Sequence, residues 1–149
     1  MASVLRVKDD ALVPFCGGVL ISERYVLTAA HCVKGKPTGV LRVRLGEHDF
    51  ELLSGSERDY RVEGVDYHDN FAYETMNNDI ALIKLSSKVV LGESVQPICL
   101  PPSNFDIDDR IAHIAGLLKL STPPTIISYK NQYNLLSNYH CHFFMTFYH

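Results

Sequence analysis

The chain has no excess of positive charge: 14 Lys and Arg stand against 17 Asp and Glu, a net charge of −3 over 149 residues. Nucleic-acid binding needs a basic face, so no nucleic-acid partner is expected. No apolar run approaches the ~20 residues that span a bilayer, and no membrane partner is expected either. The opening Met1-Ala2-Ser3-Val4-Leu5-Arg6-Val7-Lys8-Asp9-Asp10 meets charge too early for a secretory leader. Cysteine is scarce, at Cys16, Cys32, Cys99 and Cys141, and no two lie at the Cys-x2–4-Cys spacing of a zinc site. No metal site is expected from them.

Residues 117–149 lack Gly, Ala, Val, Asp and Glu altogether. These are among the commonest residues of ordinary domains, and their codons share a first-position G. Leu, Ile, Asn, Tyr, Phe, His, Ser and Thr fill the segment instead. A composition indifferent to chemistry but consistent with nucleotide bias is expected of translated intron or out-of-frame sequence. A genuine hydrophobic extension is the alternative.

The preceding residues read as short strands separated by turns, in a length suited to one domain core. Ser3–Val7 is a brief apolar-rich run, and residues 8–14 read as a polar connection ending in Pro14. Cys16–Ser22 and Tyr25–Thr28 are rich in Val, Leu, Ile and Tyr around a turn at Ser22-Glu23-Arg24. Residues 29–33 suit a single helical turn. Val40–Leu45 alternates apolar residues with Arg42 and Arg44, the pattern of a half-buried strand. Residues 47–59 read as an acidic surface loop, 60–67 and 79–85 as strands, and 68–78 as an aromatic, polar loop. Residues 95–100 are a last apolar stretch before Pro101-Pro102. With almost no helical periodicity, the fold class is all-β, a barrel or a sandwich. Cys16 and Cys32 each close a strand-like run, so neighbouring antiparallel strands can join them in a disulfide, which implies an oxidising compartment. Two buried thiols are the alternative.

Two residues carry candidate chemistry. Nucleophilic acyl transfer needs a base to take a hydroxyl proton and an acid to hold that base in the right tautomer. His31 sits at a strand-to-turn junction beside Cys32, with small Thr28, Ala29 and Ala30 before it. Asp79 opens an apolar strand, where a buried carboxylate requires a hydrogen-bonding partner.

In these surroundings the chain resembles the chymotrypsin-like (trypsin-type) serine proteases. Leu27-Thr28-Ala29-Ala30-His31-Cys32 is similar to the family's histidine box, and Asn78-Asp79-Ile80-Ala81-Leu82 to its aspartate box. Phe15-Cys16-Gly17-Gly18-Val19-Leu20-Ile21, Arg44-Leu45-Gly46-Glu47-His48-Asp49 and Val95-Gln96-Pro97-Ile98-Cys99-Leu100-Pro101 resemble other family segments. The wording is closest to the arthropod clip-domain branch. Over roughly residues 3–116 the resemblance implies a six-stranded antiparallel barrel, the first of two, in residues 1–100. An inter-barrel connector and the start of the second barrel follow in 101–116, then an aberrant tail in 117–149. It implies His31 as general base, Asp79 as its orienter, a Cys16–Cys32 disulfide, and Cys99 as a link to a propeptide or clip domain. The substrate class is protein or peptide, and the location extracellular. Glu47, Asp49 and Glu57 fall where some members bind calcium, a hard ion suited to carboxylates; a solvated acidic loop is the alternative.

The departures set the expected activity. No Ile-Val-Gly-Gly-like start precedes Cys16, and after Gly116 the sequence gives Leu117-Leu118-Lys119 where the family has Trp-Gly. The Gly-Asp-Ser-Gly-Gly nucleophile motif is absent, and Ser121, Ser128 and Ser137 have no glycine nearby. Losing the nucleophile alone costs on the order of 10⁶ in kcat in related chemistry. The expectation is a truncated serine endopeptidase, inactive as written, with a non-catalytic protease-homologue binding module as the alternative. If the tail derives from non-coding sequence, mass spectrometry of the natural protein will yield no peptide from residues 129–149; such a peptide would overturn that origin.

Overall fold

Alternating side chains divide the chain between an interior and an outer wall. In the computed structural model, which describes residues 1–47 and 55–102 and the backbone of 113–115 and 144–146, six strands form that wall. Strands β1 (Ala2–Lys8) and β2 (Ala11–Ser22) make a hairpin. Their turn is Asp9-Asp10, both left-handed with φ of 49° and 61°. Two consecutive positive φ values match the twist of a two-residue hairpin, and aspartate tolerates them. The polar connection expected at residues 8–14 is thereby corrected to this two-residue turn. Pro14 lies within β2 because the ladder is interrupted there. The register passes from Val4↔Cys16 to Leu5↔Pro14, leaving Phe15 as the extra residue of a bulge.

β2 then pairs with β3 (Tyr25–Thr28), and β3 with β6 (Ala81–Leu85). β6 continues to β5 (Arg58–Tyr67), β5 to β4 (Leu41–Leu45), and β4 back to β1. The result is a closed antiparallel barrel in the order β1-β2-β3-β6-β5-β4, as the sequence implied. The single turn of helix α1 (Ala30–Val33) follows β3, and a 3₁₀ turn spans Thr38–Val40. Beyond the barrel, β7 (His113–Ala115) pairs antiparallel with β8 (Phe144–Thr146).

The expected alternation of β4 holds: Leu41, Val43 and Leu45 are buried, while Arg42 and Arg44 stand between them. Ala81, Ile83 and Leu85 of β6 point into the same core with Val4, Leu20, Val26 and Val62. The long strands β2 and β5 each serve two neighbours along their length, and each carries a bulge. In β5 the extra residue is Glu63, between Val62 and Gly64. Its carboxylate lies 2.6 Å from Lys84 and 3.4 Å from Arg24. The hydrogen bond from Lys84 holds it below the usual carboxylate range.

Among the expected boundaries that move are the starts of β6 and β5. β6 begins at Ala81 rather than at residue 79, because Asn78 is left-handed (φ 56°) and interrupts the extended backbone. Residues 95–100 form no strand. Pro97 and Pro101 lack the donors a ladder needs, and only Ile98 N–H reaches β2, at Leu20 O, 2.9 Å. β5 begins at Arg58 because Arg58 and Asp59 pair with Leu45 and Arg44.

The loop between β4 and β5 is described at Gly46, Glu47 and 55–57. Glu47 is buried rather than solvated, with Oε2 3.5 Å from Arg44 Nη1. Arg44 also donates to both oxygens of Asp59, at 2.7 and 2.9 Å, which raises the guanidinium pKa. Gly46 turns the chain here with φ 76°, and a Cβ would collide with the Ser56 carbonyl oxygen. Gly46→Ala therefore meets left-handed strain and backbone overlap together, a loss of about 1–3 kcal/mol. Gly39→Ala, with nothing near its Cβ, should stay within about 0.5 kcal/mol of the parent. Urea denaturation of the two variants measures both.

Candidate active site

Strand register brings two distant residues together. Thr28 closes β3 opposite Ala81, which opens β6. The chain just past Thr28 therefore meets the chain just before Ala81, and these segments carry His31 and Asp79. β3 and β2 approach closely: a Cβ on Gly18 would lie 2.7 Å from Val26 Cγ1, so only glycine fits without a shift. Thr28 Oγ1 donates to Gly17 O at 2.7 Å, fastening the end of β3 to β2.

α1 holds His31 from both sides. Ala30 is fully buried, and Cys32 is buried and disulfide-bonded to Cys16 of β2, with Cα atoms 6.1 Å apart. The expected disulfide is therefore present. Lys34 N–H donates to Ala30 O at 2.8 Å and closes the turn. With both neighbours turned inward, the His31 ring points outward and is 44% exposed.

Asp79 arrives from the loop 68–78. Met76 and Asn78 are both left-handed, with φ of 55° and 56°. Asn78 Nδ2 donates to Asn70 O at 3.1 Å, and His68 N–H to Ile80 O at 3.1 Å. These bonds fix the loop end and deliver the Asp79 carboxylate, 19% exposed, to His31.

Both carboxylate oxygens of Asp79 are used by that one residue. Oδ1 accepts the backbone N–H of His31 at 2.8 Å, and Oδ2 lies 2.6 Å from Nδ1. An ionised carboxylate only accepts, so the ring proton of a neutral imidazole resides on Nδ1 and the lone pair on Nε2. Nε2 lies 3.4 Å from Cys32 Sγ. A disulfide sulfur has no proton to give, so the Nε2 lone pair stays available. The pair is thus an imidazole poised to accept a proton at its outer nitrogen, backed by a carboxylate that steadies the cation formed.

The sequence identified both residues and missed the second hold on Asp79, the His31 backbone N–H. The left-handed Asn78 was the available signal, because asparagine is enriched in that conformation. It also missed Lys34, whose ammonium lies over the rings of Tyr67, Phe71 and Tyr73.

Among the described residues, Cys16, His31 and Cys32 are the one group of three metal-ligating side chains, with donor atoms within 4.8 Å of one another. Both sulfurs are bound in the disulfide and provide no thiolate, so this is not a metal centre. Of the calcium candidates, Glu47 faces Arg44 and Glu57 Oε2 accepts the Gly55 N–H at 2.8 Å. Asp49 lies outside the described residues. Calcium takes 6–8 oxygen ligands. Among the described residues, no three acidic side chains gather here, and the guanidinium supplies positive charge at Glu47. The described part of that donor set does not fit the ion.

Residues 1–123 match the family model described as Trypsin. The "Serine protease 1" of Rattus norvegicus is 46% identical over 87 residues, covering 58% of this chain and 34% of the rat protein. The "Trypsin" of Sus scrofa is 44% identical over 89 residues, 60% of this chain and 37% of the pig protein. The "Vitamin K-dependent protein C" of Mus musculus is 45% identical over 86 residues, 58% of this chain and 18% of the mouse protein. The chain thus spans little more than a third, at most, of the length of these relatives. The family match runs from the first strand past Gly116 and takes in the whole barrel with both residues of the pair: the chain belongs to the trypsin family of serine proteases.

Proposed function

We propose that His31 and Asp79 are the general base and orienting acid of a trypsin-like serine endopeptidase. The observation that carries this reading is the double hold of Asp79 on His31, through the backbone N–H at 2.8 Å and Nδ1 at 2.6 Å. Held this way, the ring presents Nε2 to a hydroxyl nucleophile, takes its proton during attack on a peptide carbonyl, and returns it to the leaving amine. Asp79 keeps the proton on Nδ1 and stabilises the imidazolium.

The nucleophile and the oxyanion donors come from a second barrel, which the 149 residues do not encode in recognisable form. No Gly-Asp-Ser-Gly-Gly occurs in them. Residues 1–100 supply the first barrel, 101–116 the connector and the start of the second, and 117–149 an aberrant tail. This truncated form is inactive by itself. The Cys16–Cys32 disulfide supports an extracellular, oxidising location. Cys99, free and exposed among the described residues, supports a covalent link to a propeptide or clip domain of the arthropod type.

The test begins with the native transcript across the codons for residues 114–120. A message continuing from Gly116 into Trp-Gly and later Gly-Asp-Ser-Gly-Gly encodes the enzyme. Its product should be labelled by a serine-directed fluorophosphonate, and His31→Ala should lower kcat by about 10⁶. The 149-residue form should cleave no peptide substrate. A message that continues with Leu117-Leu118-Lys119 and offers no second barrel, or a His31→Ala enzyme of undiminished kcat, would overturn the assignment.

A further inference from the structure

The segment that delivers Asp79 is held at both ends by one short turn. At one end His31 binds Asp79 through two hydrogen bonds. At the other, three residues further along the turn, the Lys34 ammonium lies 5.2 Å from the ring centroid of Tyr67, 5.1 Å from Phe71 and 5.9 Å from Tyr73. It also donates to the Phe71 carbonyl at 3.4 Å. Phe71 and Tyr73 pack edge to face, centroids 4.8 Å apart, so the cation is gathered by a prearranged aromatic surface.

This second hold answers a need of the loop. Between Phe71 and Asp79 the chain passes through two left-handed non-glycine residues, Met76 and Asn78. Such backbone persists only where its surroundings over-determine it. The side chains from Tyr73 to Asn78 are otherwise half-exposed or exposed, whereas Phe71 is anchored in the core. Lys34 is fixed in its turn by its own N–H bond to Ala30 O, so its ammonium sets where the root of the loop lies relative to α1.

We propose that Lys34 is a positioning residue for the His31–Asp79 pair, its ammonium tying the aromatic root of the loop 67–79 to the turn that carries the base. The inference rests on the reading of His31 and Asp79 as base and orienter. It assigns Lys34 no contact with a substrate or a reacting atom. The charge is the working element, so an arginine preserves the function and an isosteric apolar chain does not.

Solvent exchange of the His31 Nδ1 proton, whose NMR resonance is moved downfield by its bond to Asp79, reads the effect in the full chain. In Lys34→Met that exchange should accelerate about tenfold, while the Val4 and Val43 amides of the barrel wall stay within about twofold of the parent. Lys34→Arg should return the ring proton close to the parental rate. Tyr73→Leu, which removes a ring that is 50% exposed, should give an intermediate acceleration, and it decides the matter if Lys34→Met does not fold. Parental exchange in both variants would overturn the proposal. So would equal acceleration at Val4 and Val43, or an arginine variant no better than the methionine one. Asp79→Asn separates the two readings. A downfield resonance that survives Asp79→Asn removes the pair itself; one lost there but unchanged in Lys34→Met removes only the role of Lys34.

Discussion

Closure of the sheet is the constraint on which the other features depend. Once β1 is bonded to β4 the wall has no open edge, and the register of each strand is limited by all the others. A one-residue slip in β4 would carry Leu41, Val43 and Leu45 to the outside and put Arg42 and Arg44 in the core. The same closure fixes Thr28 opposite Ala81 and so decides that His31 and Asp79, 48 residues apart, share one spot. The site is in this sense a product of barrel register, sharpened by local bonds.

Those local bonds divide into two kinds. The Cys16–Cys32 disulfide and the Thr28–Gly17 hydrogen bond hold the His31 turn to β2 from behind. The Asp79 carboxylate and the Lys34 ammonium hold the opposing loop to the His31 turn from the side. Each is short-range and strongly directional, whereas the core supplies undirected apolar burial. The division explains why an exposed imidazole can be well oriented. Its own surface is free, while every neighbour that determines its angle is anchored.

Much of this was legible in the residues, and the rest failed for identifiable reasons. Alternation in residues 41–45 declares a half-buried strand because each apolar side chain there has one face to choose. The histidine and aspartate stood out because their flanks are small, apolar and specific. The hairpin at Asp9-Asp10 was hidden because two charged residues followed by a proline read as a connection, and only the Phe15 bulge makes Pro14 acceptable inside β2. Residues 95–100 are apolar without being a strand, since composition does not show whether a backbone finds donors to pair with. Glu47 was hidden for a similar reason: nothing in an acidic run tells which carboxylate will meet a half-buried arginine.

The order of the strands also sets a schedule for assembly. β3, made from residues 25–28, hydrogen-bonds to β6 at residues 81–85, so one of its sides waits unpaired while more than fifty further residues are synthesised. Such long-range closure makes for slow folding. The hairpin β1–β2 and the 16-residue disulfide link to α1 are local and can precede it. His31 is therefore set in place early, and Asp79, which hydrogen-bonds its ring, joins only when the last stave of the barrel is laid.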